Sequence, residues 1–253
     1  MPPRASRRRG ALPTWPRQRS VAKRTSGTLT VLLIGDSIGD GVGADPTGTG
    51  VDELAYGGAT PPAGCTLHDT NDGTTWTLQA TYPDSAGAAP ENPGLVPHIH
   101  ARALALGYTG CAVRRYAVSG ATTPTVRGFW EAAWPSLLSL GITPDVVVVV
   151  SGTNDANNST QSAAFNVNCP LLAAEIEWLF GARVVWVEMV AGTGIRAEAD
   201  VVRGSTRTHM ALRTTRRAVN GAGGLGTTDS VHPDLTTYQI QGREVMSDYQ
   251  EAS

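Results

Sequence analysis

The chain has 253 residues, 41 % of them apolar, and a formal net charge of −2. That supports a sizeable core in one α/β domain or two small ones, and no apolar run reaches the ~18–20 residues needed to cross a bilayer as a helix. Cys65, Cys111 and Cys169 are three cysteines at unrelated spacings, so neither a disulfide framework nor a zinc site is indicated.

The charge is unevenly placed. Residues 1–26 carry Arg4, Arg7, Arg8, Arg9, Arg17, Arg19, Lys23 and Arg24 and no acid, so the remainder is strongly acidic. With Pro2, Pro3, Pro13 and Pro16 besides, this stretch is predicted to be a disordered tail, and residues 27–253 the folded domain. The tail has no apolar segment of the secretory type. An organelle transit peptide, a weak anchor to nucleic acid or anionic lipid, and an extension without function all fit its composition. No specific nucleic-acid partner follows from it, and compartment and oligomeric state stay open.

The first element is an apolar strand, Val31-Leu32-Leu33-Ile34, which stops at Gly35 and is followed at once by Asp36-Ser37. A rigid parallel strand with a tight turn at its carboxyl end lifts a hydroxyl to the rim of a sheet. Residues 44–94 come next, rich in Gly, Thr, Pro and Asp with Tyr56, Trp76 and Tyr82 scattered through them. A loop of that length is usually functional or disordered, and this one leaves the strand directly behind Ser37. It is expected to form a lid or one wall of a substrate pocket, with a small hairpin around Trp76.

From Leu95 the pattern alternates. Leu95, Ile99, Ala103 and Leu106 have helical spacing, with Gly107 as the stop. His98 and His100 lie two apart on that helix, on opposite sides, which does not suit a shared metal. Cys111–Val118 reads as a strand and Thr125–Leu140 as a helix whose Trp130 and Trp134 share a face. Val146–Val150 is a β-branched run buried on both sides. A helix over 163–180 has Leu171, Leu172, Ile176 and Leu179 as its apolar stripe, and Pro170 predicts a kink or a late start. Arg183–Val190 is a further strand, and helices near 203–219 and 235–249 close the domain. Residues 220–228 are so rich in glycine that the last sheet edge is expected to be short or absent. Cys111 and Cys169 read as small buried hydrophobes. The alternation predicts a three-layer α/β/α sandwich on a parallel sheet, with ligands at the carboxyl ends of the strands.

Four motifs fall at those ends. Gly35-Asp36-Ser37 offers a nucleophile, and Asp229-Ser230-Val231-His232 offers a base and the acid that orients it, delivered by one loop. Val118-Ser119-Gly120 places a glycine where a backbone N–H can approach a substrate. Ser151-Gly152-Thr153-Asn154 places a neutral side-chain donor where an oxyanion would develop.

The order Ser, Gly, Asn, then Asp-x-x-His resembles the four blocks of the SGNH hydrolases, also called the GDSL esterase/lipase family. The blocks span residues 31 to about 245. The resemblance implies the SGNH, flavodoxin-like α/β/α fold with a long insertion after the first strand. It implies Ser37 as nucleophile, His232 as base and Asp229 as orienter, and an oxyanion hole from the N–H groups of Ser37 and Gly120 and the side chain of Asn154. Neither metal nor cofactor is implied. The substrate would be a small-molecule or carbohydrate ester, and a polar insertion poor in aliphatic residues favours a short acyl group on a polar alcohol. A lipase, thioesterase or acyltransferase of the same family, and a carbohydrate-binding module without activity, are the alternatives.

Overall fold

The computed structural model describes residues 24–41, 58–83, 94–155, 159–187, 212–214 and 235–251. Outside them lie the basic stretch up to Lys23, residues 42–57 and 84–93 of the insertion, residues 188–190 and most of the helix expected over 203–219. The glycine-rich segment 220–228 and the Asp229–His232 motif lie outside them too.

Seven strands form one sheet in the order β3-β2-β4-β1-β5-β6-β7. They are β1 (Thr28–Gly35), β2 (Cys65–Asp69), β3 (Thr77–Gln79), β4 (Gly110–Ala117), β5 (Val146–Val150), β6 (Arg183–Val187) and β7 (Leu212–Thr214). Every pairing is parallel except that of β2 with β3. The helices are α1 (Ser37–Asp40), α2 (Val96–Ala105), α3 (Thr123–Ser139), α4 (Ser159–Phe180) and α5 (Leu235–Glu251).

Side-chain alternation on the central strands divides the core in two. Leu29, Val31 and Leu33 of β1 join Val146 and Val148 of β5 beneath α2 and α5, whose Ile99, Tyr238 and Val245 are fully buried. Leu32, Ile34, Val147 and Val149 face the other way, onto Trp130 of α3 and Phe165, Leu172 and Ile176 of α4. The all-valine β5 is therefore buried on both faces, as its composition predicts. The three layers and the parallel central sheet are those expected.

The differences are local. The buried stripe of α4 runs through Phe165, Cys169, Leu172, Ala173, Ile176 and Phe180, while Leu171 is 43 % exposed. Cys111 and Cys169 are buried, as read from the sequence. Pro170 neither starts nor ends α4; the helix runs through it, losing one backbone donor. Leu212–Thr214, expected within a helix, pairs instead with β6 and forms the sheet's last edge, only three residues long. A free strand edge on β6 outweighs local helical spacing there.

The insertion also joins the sheet. β2 continues it in parallel beyond β4, and β3 folds back on β2 as a hairpin. The turn between them is locked. The Asp72 carboxylate accepts from the N–H groups of Thr74 (2.7 Å) and Thr75 (2.8 Å), which hold it well below the usual carboxylate range. The tip is then clamped to α3: Trp76 Nε1 donates to Ser136 Oγ (2.8 Å), and that hydroxyl lies 2.9 Å from the Gly73 carbonyl. Gly73 adopts φ +75°, and a Cβ there would lie 2.9 Å from Ala132 Cβ, so only glycine fits.

Candidate active site

β1 ends where it meets β5 most closely. A Cβ on Gly35 would lie 2.8 Å from Val150 Cβ and 2.9 Å from its carbonyl oxygen, so the turn requires glycine. Backbone bonds from Asp36 N to Val150 O (3.0 Å) and from Val118 N to Gly35 O (3.1 Å) hold this turn between the ends of β5 and β4. The Asp36 carboxylate caps α1 by accepting from Ile38 N at 3.0 Å. Ser37, the first residue of α1, is 4 % exposed. Gly41 ends the helix at φ +92°, and Tyr238 of α5 donates its hydroxyl to Ile38 O at 3.1 Å.

Asp36 is wholly buried, and among the described residues its Oδ2 has no hydrogen-bond partner. Loss of hydration pushes its carboxyl up to about 7, and the nearby charge of Asp155 adds to the shift. On α2, His98 and His100 are also buried. Loss of hydration holds both imidazoles down at about 4, with the Arg243 charge adding to the effect at His98.

These shifts act in opposite senses. Between pH 4 and 6.5 the unfolded chain binds more protons at the two histidines, so their contribution to stability is lost as pH falls through that window. Asp36 binds its proton more tightly when folded, so its contribution falls as pH rises toward 7. His68, also shifted down by loss of hydration, acts in the same sense as the other two imidazoles, so the histidines outweigh Asp36 and stability should rise with pH from 4.5 to 6. Urea midpoints across that range check the slope, which should become clearly shallower in a His98→Gln/His100→Gln protein.

The second piece is the turn after β4. Gly120 adopts φ +80° in an exposed turn, with nothing within 4 Å of where a Cβ would stand. Its glycine therefore serves the backbone conformation rather than a crowded approach. The third piece follows β5. Asn154 is half-buried and donates Nδ2 to Ala121 O at 2.9 Å, which binds the Asn154 loop to the Gly120 loop and leaves a second amide hydrogen.

Asp155 strengthens that union. Fully buried, it accepts from Thr123 N (2.9 Å) and Thr123 Oγ1 (3.0 Å) at the start of α3. The Thr123 hydroxyl also meets Ser151 Oγ at 2.6 Å, and Trp186 of β6 donates Nε1 to Ser151 O at 3.0 Å. Sequence reasoning stopped at Asn154. The acid beside it was the missed signal, since a carboxylate next to a buried strand end needs donors. An Asp155→Asn protein turns an amide donor toward the Thr123 N–H and should lose about 1–3 kcal/mol in urea unfolding. It should also lose kcat rather than KM, because Asn154 moves with the loop.

A further feature escaped the sequence. Arg115, two residues before the end of β4, is 5 % exposed and reaches Asp69 of β2 through Nε (2.8 Å) and Nη2 (3.1 Å). Its Nη1 donates to Asp40 O at 3.1 Å. This bridge joins β2, β4 and α1 and floors a cavity of about 650 Å³ beside the last turn of α1. A charged residue within a strand pattern was the available clue. Asp229 and His232 lie outside the described residues. Leu235, three residues beyond His232, begins the helix whose Tyr238 holds α1. Among the described residues no group of three or more His, Cys, Asp or Glu side chains is arranged to hold a metal, and no helix is long and apolar enough to cross a membrane.

Residues 31–194 match the family model described as GDSL-like lipase/acylhydrolase. No curated protein matches the chain. Among solved structures, the lipase/acylhydrolase from Enterococcus faecalis is 18 % identical with a TM-score of 0.57, over 88 % of this chain and 96 % of that one. An acetyl xylan esterase from Geobacillus stearothermophilus is 16 % identical with a TM-score of 0.57, over 89 % and 97 %. A carbohydrate acetylesterase from Xanthomonas citri is 11 % identical with a TM-score of 0.61, over 86 % of this chain and 55 % of that one. At these identities the structures share the fold.

Proposed function

Because this chain belongs to the GDSL-like lipase/acylhydrolase family, and so is a carboxylic ester hydrolase, we propose that it works through an acyl-enzyme on Ser37 with a short acyl group on a polar alcohol or sugar. His232 takes the Ser37 proton as the hydroxyl attacks the ester carbonyl, and Asp229 orients the imidazole. The oxyanion is held by the N–H groups of Ser37 and Gly120 and by the Asn154 amide. The alcohol departs with the proton from His232, and water then splits the acyl-enzyme, returning Ser37 and releasing the acid.

The observation that carries this is the union of three strand-end loops. The Ser37 turn is bonded to β4 and β5, and the Asn154 loop is bonded to the Gly120 loop. The polar insertion supports the short acyl chain and polar alcohol, as do the acetyl and carbohydrate esters acted on by two of the structural relatives.

Two measurements test it. A fluorophosphonate probe should label the protein at Ser37, identified by peptide mass. In a series of p-nitrophenyl esters, kcat/KM should fall from acetate through butyrate to octanoate. Absence of labelling refutes the acyl-enzyme, and a rise with chain length refutes the acyl preference.

A further inference from the structure

The cavity of about 650 Å³ at the sheet edge has no part in the chemistry assigned to Ser37, yet it lies beside it. Asp40, on its lining, is one helical turn beyond Ser37, which places the two side chains ~5–6 Å apart at their Cβ atoms. Ala117, also on its lining, ends the strand that leads to Gly120. The opening therefore adjoins the point where an ester carbonyl would sit.

Its walls come mainly from the insertion. Thr77 and Gln79 lie opposite Asp69 and Leu67 on the hairpin and share the face on which Arg115 and Ala117 stand. Asn71 adds an amide, and only Pro83 and Ala117 offer apolar surface. An acyl chain would gain little from such a lining, whereas amides and hydroxyls match the donors and acceptors of a polyol. The charge is also one-sided. Arg115 is engaged with Asp69, and the locked turn keeps Asp72 ionised on the wall. Because the hairpin is tied to α3 through Trp76 and Gly73, the wall is fixed before any ligand arrives.

We infer that this cavity is the subsite for the alcohol half of the substrate, that it takes a neutral or amine-bearing sugar or polyol, and that it disfavours one carrying a carboxylate. The inference rests on Ser37 being the ester-cleaving nucleophile. Gln79, Thr77 and Asn71 set the specificity, while the ionised Asp72 supplies the repulsion.

Three substrates measured at low and high ionic strength test the assignment: p-nitrophenyl acetate, a monoacetylated methyl xyloside and a monoacetylated methyl glucuronide. The native protein should prefer the xyloside to the glucuronide about tenfold at 10 mM salt, and the ratio should shrink at 0.5 M as the carboxylates are screened. Gln79→Leu and the near-isosteric Thr77→Val should each lower kcat/KM for the xyloside relative to p-nitrophenyl acetate. A fall of about tenfold for Gln79→Leu and about threefold for Thr77→Val is expected, expressed mainly in KM. Fluorophosphonate labelling in each variant confirms a folded site. If the native protein cleaves p-nitrophenyl acetate but neither sugar ester, or if neither variant moves that ratio by more than twofold, the subsite is wrong while the esterase stands. Equal use of xyloside and glucuronide at low salt removes the charge selection. If the native protein neither cleaves p-nitrophenyl acetate nor takes the probe, the esterase reading falls and the subsite with it.

Discussion

Ser37→Ala is expected to lower kcat/KM for p-nitrophenyl acetate by roughly 10⁴–10⁶-fold and to abolish fluorophosphonate labelling. The alanine removes one oxygen from a residue that is 4 % exposed, at the first position of a helix already capped by Asp36. The backbone of the turn is held by bonds that the substitution leaves in place, so the unfolding free energy should fall by no more than about 1–3 kcal/mol and the protein should stay folded. Loss of activity in a protein that remains folded separates a nucleophile from a structural serine. Ser37→Cys sharpens the distinction, since a thiol in the same place should retain slow turnover and become sensitive to iodoacetamide. Cys65, Cys111 and Cys169 are all buried and give a low background for that reagent. If Ser37→Ala cleaves the ester at the parental rate, the acyl-enzyme mechanism is wrong.

Asn154→Ala should lower kcat by about 10²–10³, near 3–4 kcal/mol of transition-state stabilisation, with KM changed much less. The amide gives one hydrogen to Ala121 O, and the other is the one assigned to the oxyanion. Asn154→Asp keeps the size but replaces donors with a negative charge, so it should be at least as slow. The rate of fluorophosphonate labelling should fall in step with kcat, because the phosphonyl oxygen develops the same charge. A second substitution on a Ser37→Ala background should cost almost nothing further, since the groups act together on one transition state. Should Asn154→Ala change KM and leave kcat alone, the amide binds substrate and the oxyanion is held elsewhere.

Much of the fold could be read directly from the chain. Val146–Val150 has no polar residue and is long enough only for a strand, so its burial on both faces was fixed by composition. The same holds for Val31–Ile34, and Gly35 marked its end because nothing with a side chain fits against Val150. The stripe of α4 was misplaced because Leu171 and Leu172 are neighbours on a helix and only one can face the sheet. Which one does is decided by the orientation of α4 against β6 and α3. Leu212–Thr214 lies where local spacing points to a helix, and helical spacing is a local signal, whereas a strand edge offered by β6 is not.

The candidate site divides along the same line. Ser37, Gly120 and Asn154 are legible as candidates because turn glycines and strand ends are written in consecutive residues. Asp155, Arg115 and the polar cavity are not, because their meaning depends on partners 32, 46 and 75 positions away in Thr123, Asp69 and Asp40.

By itself, then, the amino-acid sequence determined the central strands, where they end and the order of the candidate site residues, since hydrophobic period and turn chemistry act over a few neighbouring residues. Only the tertiary structure decided that the insertion extends the sheet, that an arginine–aspartate bridge joins β2, β4 and α1, and that a polar cavity opens beside the end of α1. Those features arise from hydrogen bonds and packing between distant segments, and no local pattern encodes which distant groups will meet.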